Sequence, residues 1–124
     1  MVNAVFPINF DSIVNALKSY DPASNIYFTI LGTNPRVAIA FGQKWVARIG
    51  NYLTCLTIVI EKETESEVKV IAHAGLRLFT LSDYGASSDY AMEILNHLAQ
   101  SLNAEPGNVI HVDYMNATKS QQLN

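Results

Sequence analysis

Apolar side chains recur at Phe10, Ile13, Val14, Leu17 and Tyr20, with Asp11, Ser12, Asn15 and Lys18 between them. This is the three-and-four spacing of a helix that buries one face. Asn9 stands ahead of the stretch as a cap, and Asp21-Pro22 stops it, because the residue before a proline avoids the helical region. A second helical stripe runs from Ser87 through Ala91, Ile94, Leu95, Leu98 and Leu102, with Asp89, Glu93, Asn96, His97 and Gln100 on its polar side. Pro106-Gly107 ends that segment.

Between the two stripes the pattern changes to β-branched and aromatic runs, which predict strands over residues 26–31, 37–41, 44–49, 52–61 and 68–81. Gly42-Gln43 marks a bulge or a break between the second and third runs, Gly50-Asn51 reads as a two-residue hairpin turn, and residues 62–67 form a charged, solvated turn. A last short strand is predicted over residues 109–114. The order α-β-β-β-β-α-β, with strands joined by hairpins, predicts an α+β fold: an antiparallel meander of about four to five strands with both helices on one face. Over residues 9–103 this layout is similar to small helix-grip domains, in which a curved sheet wraps a long C-terminal helix. Residues 1–114 are expected to form a single domain and 115–124 a polar, frayed tail.

Strand register decides which residues share a face. A Gly50-Asn51 turn would pair Ile49 with Tyr52, Ala47 with Thr54 and Trp45 with Leu56, which are expected as core contacts. Three or five loop residues in the next hairpin would match Ile58 and Ile60 with Val70, Ala72 or Ala74 and give one wholly apolar face. Lys69, Ile71, His73 and Arg77 would then join Lys44, Arg48, Cys55 and Thr57 on the second face. Four of the eight Lys and Arg residues would converge there, opposed only by Glu61, although the chain carries a net charge of −3. A mixed basic and apolar face suits a small anionic or amphipathic ligand, so Lys44, Arg48, Thr57, Lys69, His73 and Arg77 are the candidate ligand-binding residues. The plainer reading of the same face is solvated scaffold, or the interface of a homodimer.

Composition sharpens that choice. Hydrophobic residues make up 49% of the chain and charged residues only 15%, leaving little polar surface to cover a core and pointing to a homo-oligomer, most simply a dimer. The longest apolar run, residues 52–60, is too short to cross a bilayer, and the first ten residues lack a signal-peptide pattern. A cytoplasmic protein without membrane partners is expected.

Candidate chemistry is sparse. Cys55 and His73 would be neighbours in the expected register, so a small enzyme using His73 with Cys55 or Thr57 is the alternative function. A second alternative is nucleic-acid binding through the same basic face, although Phe10, Phe28, Phe41 and Trp45 are expected in the core rather than free to stack on bases. His111 and Asp113 share a strand face but make only two ligands, and the single cysteine excludes both an internal disulfide and a thiolate metal cluster. No cofactor or metal motif is present, and no catalytic residue is nominated. The segment 78–90, LFTLSDYGASSDY, is expected to be a structural corner in which Ser87 or Ser88 caps the second helix.

Overall fold

The computed structural model describes residues 1–74 and 86–112, together with Thr118. The architecture is α+β: one open, six-stranded antiparallel sheet with three helices on one face, more strands than the sequence predicts. The elements are β1 (Val2–Phe6), α1 (Phe10–Lys18), α2 (Asp21–Ser24), β2 (Tyr27–Leu31), β3 (Val37–Val46), β4 (Asn51–Glu61), β5 (Ser66–Ala74), α3 (Ala86–Leu102) and β6 (Gly107–His111). In the sheet they run β2-β3-β4-β5-β1-β6. No helix among the described residues is long and apolar enough to cross a membrane.

Both amphipathic helices form where their stripes predict them. The Asn9 side chain caps α1 by accepting from the Ser12 amide at 2.9 Å, and Phe10, Ile13, Val14 and Leu17 are buried. The proline at Pro22 does not end helical structure; it occupies the first turn of α2, where a missing amide hydrogen costs nothing. The helix α3 already begins at Ala86, so Ser87 and Ser88 lie inside it rather than at its cap. Residues 78–85 of the expected corner, Arg77, Asp113 and the tail all fall outside the described residues, Thr118 apart.

The β strands depart from expectation in three ways. First, β1 was not predicted, yet it lies inside the sheet, antiparallel to both β5 and β6. Second, β3 runs unbroken through Gly42 to Val46, so Gly42 is neither a bulge nor a break. A short 3-10 turn at Ala47–Ile49 and a left-handed Gly50 (φ 60°) then carry the chain into β4, pairing Trp45 with Tyr52 and Val46 with Asn51. Third, the β4–β5 hairpin pairs Glu61 with Ser66 and leaves four loop residues, closed by a 3.0 Å bond from the Lys62 amide to the Glu65 carbonyl. Ile58 therefore faces Lys69, not Val70.

The last change moves every side chain of β5 to the other face relative to β4. Val68, Val70, Ala72 and Ala74 join Leu53, Cys55, Thr57 and Val59 beneath the helices, all buried. On β3 the buried positions are Ala38, Ala40 and Gly42. These small residues let the helices approach the sheet. A Cβ on Gly42 would overlap the Pro22 carbonyl oxygen and lie only 2.7 Å from the Ala23 carbonyl carbon. The core between sheet and helices is completed by Phe6, Leu17, Tyr90, Ile94, Leu95 and Leu98.

Candidate interaction face

The expected basic site is divided by this register. Lys44 and Arg48 lie on the helical side, where α3 supplies each with a carboxylate. Lys44 meets Glu93 and sits 4.9 Å from the centre of the Tyr90 ring, while Arg48 reaches Asp89 at 2.8 Å. Thr57 is fully buried between the sheet and the helices, within 3.9 Å of the Cys55 sulfur. Lys69 and His73 project from the opposite face; Lys69 contacts Asn3 at 3.1 Å and Glu67 at 3.2 Å. The convergence of these residues on one face is thus corrected: they have no common space in which to hold one anion.

The enzyme alternative meets the same division. Cys55 is opposite Ala72, and His73 is opposite Thr54, whose hydroxyl donates to the His73 carbonyl at 3.2 Å. Cys55 and Thr57 therefore point into the helical core and His73 points away from it. Burial pushes the Cys55 thiol up to about 12, which disfavours the thiolate that nucleophilic chemistry requires. Tyr20, stacked on His97 at 4.3 Å between ring centres, is also pushed up to about 12, chiefly by burial and secondarily by Glu93. A shallow pocket of about 490 Å³ opens beside this pair along the outer side of α3. Its two carboxylates, Asp89 and Glu93, are the ones already met by Arg48 and Lys44. No group of three His, Cys, Asp or Glu residues with metal-binding geometry occurs among the described residues.

The sheet face turned away from the helices is different in kind. The registers put Tyr27, Thr29 and Leu31 of β2 beside Val37, Ile39, Phe41, Gln43 and Trp45 of β3. Next to them stand Tyr52, Thr54, Leu56, Ile58 and Ile60 of β4, followed by Ile71 of β5. Phe41 and Trp45, expected in the core, are on this face; Trp45 is 56% exposed and meets Tyr52 edge to face at 5.2 Å. Among the described residues no helix packs over this face, since α1, α2 and α3 all contribute to the core on the other side. Among the described residues its charged side chains are those of β5, where Glu67 and Lys69 pair with each other.

The sequence carried this signal in the alternation on β3. Large residues stand at 37, 39 and 41 and small ones at 38, 40 and 42, and the expectation of Phe41 in the core follows bulk alone. The small set faces the helices because close packing requires it, which leaves the large set bare. Comparison of the chain with protein-family models, with curated proteins and with solved structures finds no match.

Proposed function

We propose that the protein is a self-associating, non-catalytic module whose open sheet face docks against a second copy of itself. The observation that supports this reading is the continuous band Val37, Ile39, Phe41, Trp45, Tyr52, Leu56, Ile58 and Ile60, with no helical layer over it among the described residues. A sheet that buries one face on helices and leaves large apolar side chains across the other is built to be covered. Self-association suits the face because its described residues are nearly uncharged: two copies meet there without like-charge repulsion, and an oppositely charged partner would gain little.

The size is adequate. Strands β2, β3, β4 and β5, of five, ten, eleven and nine residues, cover roughly 550 Å² in projection at about 3.3 Å per residue and about 4.8 Å between strands, before side-chain relief is added. A standard interface removes about 800 Å² of accessible surface per partner. Trp45, Tyr52 and Phe41 supply the aromatic anchors that dominate such contacts.

Sedimentation or light scattering at micromolar concentration tests the proposal. The wild-type chain should run at no less than twice its own mass. Ile58→Lys, which alters the middle of the open face, should run folded at half the wild-type mass, and Gln100→Lys on the outer side of α3 should keep the wild-type mass. A wild-type chain that is monomeric across that range overturns the proposal.

A further inference from the structure

The sheet has two edges, and they are managed differently. At one edge, β6 is irregular: its pairing with β1 shifts register between Asn3 and Val5, and Asn108 is left-handed at φ 49°. Such distortion discourages another strand from adding there. At the other edge, β2 is regular across all five residues of its pairing with β3, from Tyr27 opposite Phe41 to Leu31 opposite Val37. Its sequence, YFTIL, has no charge and no proline, and Tyr27, Ile30 and Leu31 are exposed, as is the preceding Ile26. Native edges are ordinarily blunted by a lysine, a proline, a bulge or a covering element. β2 has none of the first three, and no described element pairs with its outer side.

The same five residues match themselves. If two copies of β2 run antiparallel with Thr29 at the centre, Thr29 faces Thr29, Tyr27 faces Leu31, and Phe28 faces Ile30. Each is a favourable cross-strand combination, a hydroxyl pair flanked by aromatic–aliphatic pairs on both faces. No charge is brought opposite a like charge. We propose that β2 pairs edge to edge with β2 of a second copy, in register at Thr29, joining two sheets into one.

The contact is separate from the stacking of open faces and does not depend on it. Its two-fold axis runs through the sheet rather than between sheets, and a five-residue strand gives a short, exchangeable interface. Where both contacts form, face-paired copies are linked through their β2 edges into a larger assembly, and Tyr27, Thr29 and Leu31 make the apolar face continuous across the join.

Disulfide capture tests the register. In a Cys55→Ala background, Thr29→Cys should oxidise to a covalent dimer, because directly opposed residues of an antiparallel pair have Cα atoms about 4.5–5.5 Å apart, within disulfide reach. Leu31→Cys alone should not, since its counterpart lies several residues away across the pair. An equimolar mixture of Tyr27→Cys and Leu31→Cys should cross-link again. At about 10 µM protein, pairing raises the local thiol concentration to about 1 mM, so Thr29→Cys should close roughly 100-fold faster than Leu31→Cys.

The same capture in an Ile58→Lys background separates the two contacts: a cross-linked Thr29→Cys pair there shows edge pairing without face stacking. The reduced variants are first matched to the parent by urea midpoint, which excludes a misfolded strand. Thr29→Cys that cross-links no faster than Leu31→Cys, in a folded protein, overturns the pairing and leaves the edge to a strand from a different protein.

Discussion

Gly42 lies directly against the carbonyl of Pro22, so closely that strand β3 and helix α2 leave no room for a methyl group between them. The contact is reinforced from both sides. Tyr90 donates its hydroxyl to the same Pro22 carbonyl, and the Asn25 side chain joins the Gln43 backbone through two 2.8 Å bonds, from Nδ2 to the carbonyl and from the amide to Oδ1. Gly42→Ala is therefore expected to destabilise the fold by about 2–4 kcal/mol, the cost of forcing packed backbone apart. Gly32→Ala, where the added carbon meets nothing within 4 Å, should stay within about 0.5 kcal/mol of wild type. Urea unfolding of the two variants checks the contrast; equal midpoints would mean that α2 is not docked on β3 in this way.

Tyr90→Phe isolates the hydroxyl. The ring is fully buried and its substitution keeps the packing, but the Pro22 carbonyl loses its donor. A loss of about 1–2 kcal/mol is expected in urea unfolding. Because both changes act on one carbonyl, Gly42→Ala and Tyr90→Phe should combine non-additively, and a double-mutant cycle measures this.

Much of this arrangement is legible in the sequence, and the remainder fails for definable reasons. The α1 and α3 stripes are strong because nine and seventeen residues repeat one spacing. Strand β1 is hidden because VNAVF is short and includes Asn and Ala, which favour strands poorly; Asn3 is met by Lys69, 66 residues away in the sequence. Bulk does not mark the core face of β3: Phe41 and Trp45 are large yet lie on the open face, whereas Ala38, Ala40 and Gly42 are buried by virtue of being small. The candidate basic site then dissolved on one loop residue: four instead of three or five between β4 and β5 carries Lys69 and His73 away from Lys44 and Thr57.

At alkaline pH the buried acids set the direction of change. Cys55 and Tyr20 are pushed up to about 12 and Tyr90 is also raised, in each case chiefly by burial. The unfolded chain loses these protons first, beginning at about pH 8.5 for the thiol and about 10 for the phenols. Stability is fully present below those values and falls as pH rises toward the folded values. Urea midpoints between pH 8 and 10 should decline less in Cys55→Ala than in wild type. Alkylation of native Cys55 at pH 8 should be slow and should accelerate only with unfolding.

At acid pH the controlling group is Glu61. Arg36 lies between Glu61, at 2.7 Å, and Asp11, at 3.2 Å, tying the start of β3 to the end of β4 and the first turn of α1, and its guanidinium covers the Phe10 ring. Arg36 holds the Glu61 carboxyl below its usual range, first through side-chain hydrogen bonding. A depressed carboxyl stabilises the fold above its unfolded value of about 4.3 and loses that contribution as pH falls through the folded value. Glu61→Gln should therefore lower the urea midpoint at pH 7 and flatten its fall below pH 4. A variant as steeply acid-sensitive as wild type would show that the pair does not govern that range.

Trp45 offers a direct reading of the open face, because it is the one tryptophan in the chain and stands half-exposed against Tyr52. Stacking on a second copy would bury its ring, so emission should shift to shorter wavelength as protein concentration rises through the dissociation constant. Ile58→Lys should hold the exposed spectrum at every concentration. As an aromatic anchor in the interface, Trp45 replaced by alanine should weaken association by about 2 kcal/mol, or roughly 30-fold. The change would spare the helical core, which contains none of the Trp45 side chain. Wild-type emission that stays constant while the mass changes from one copy to two would place the contact elsewhere, with the β2 edge the surface to examine next.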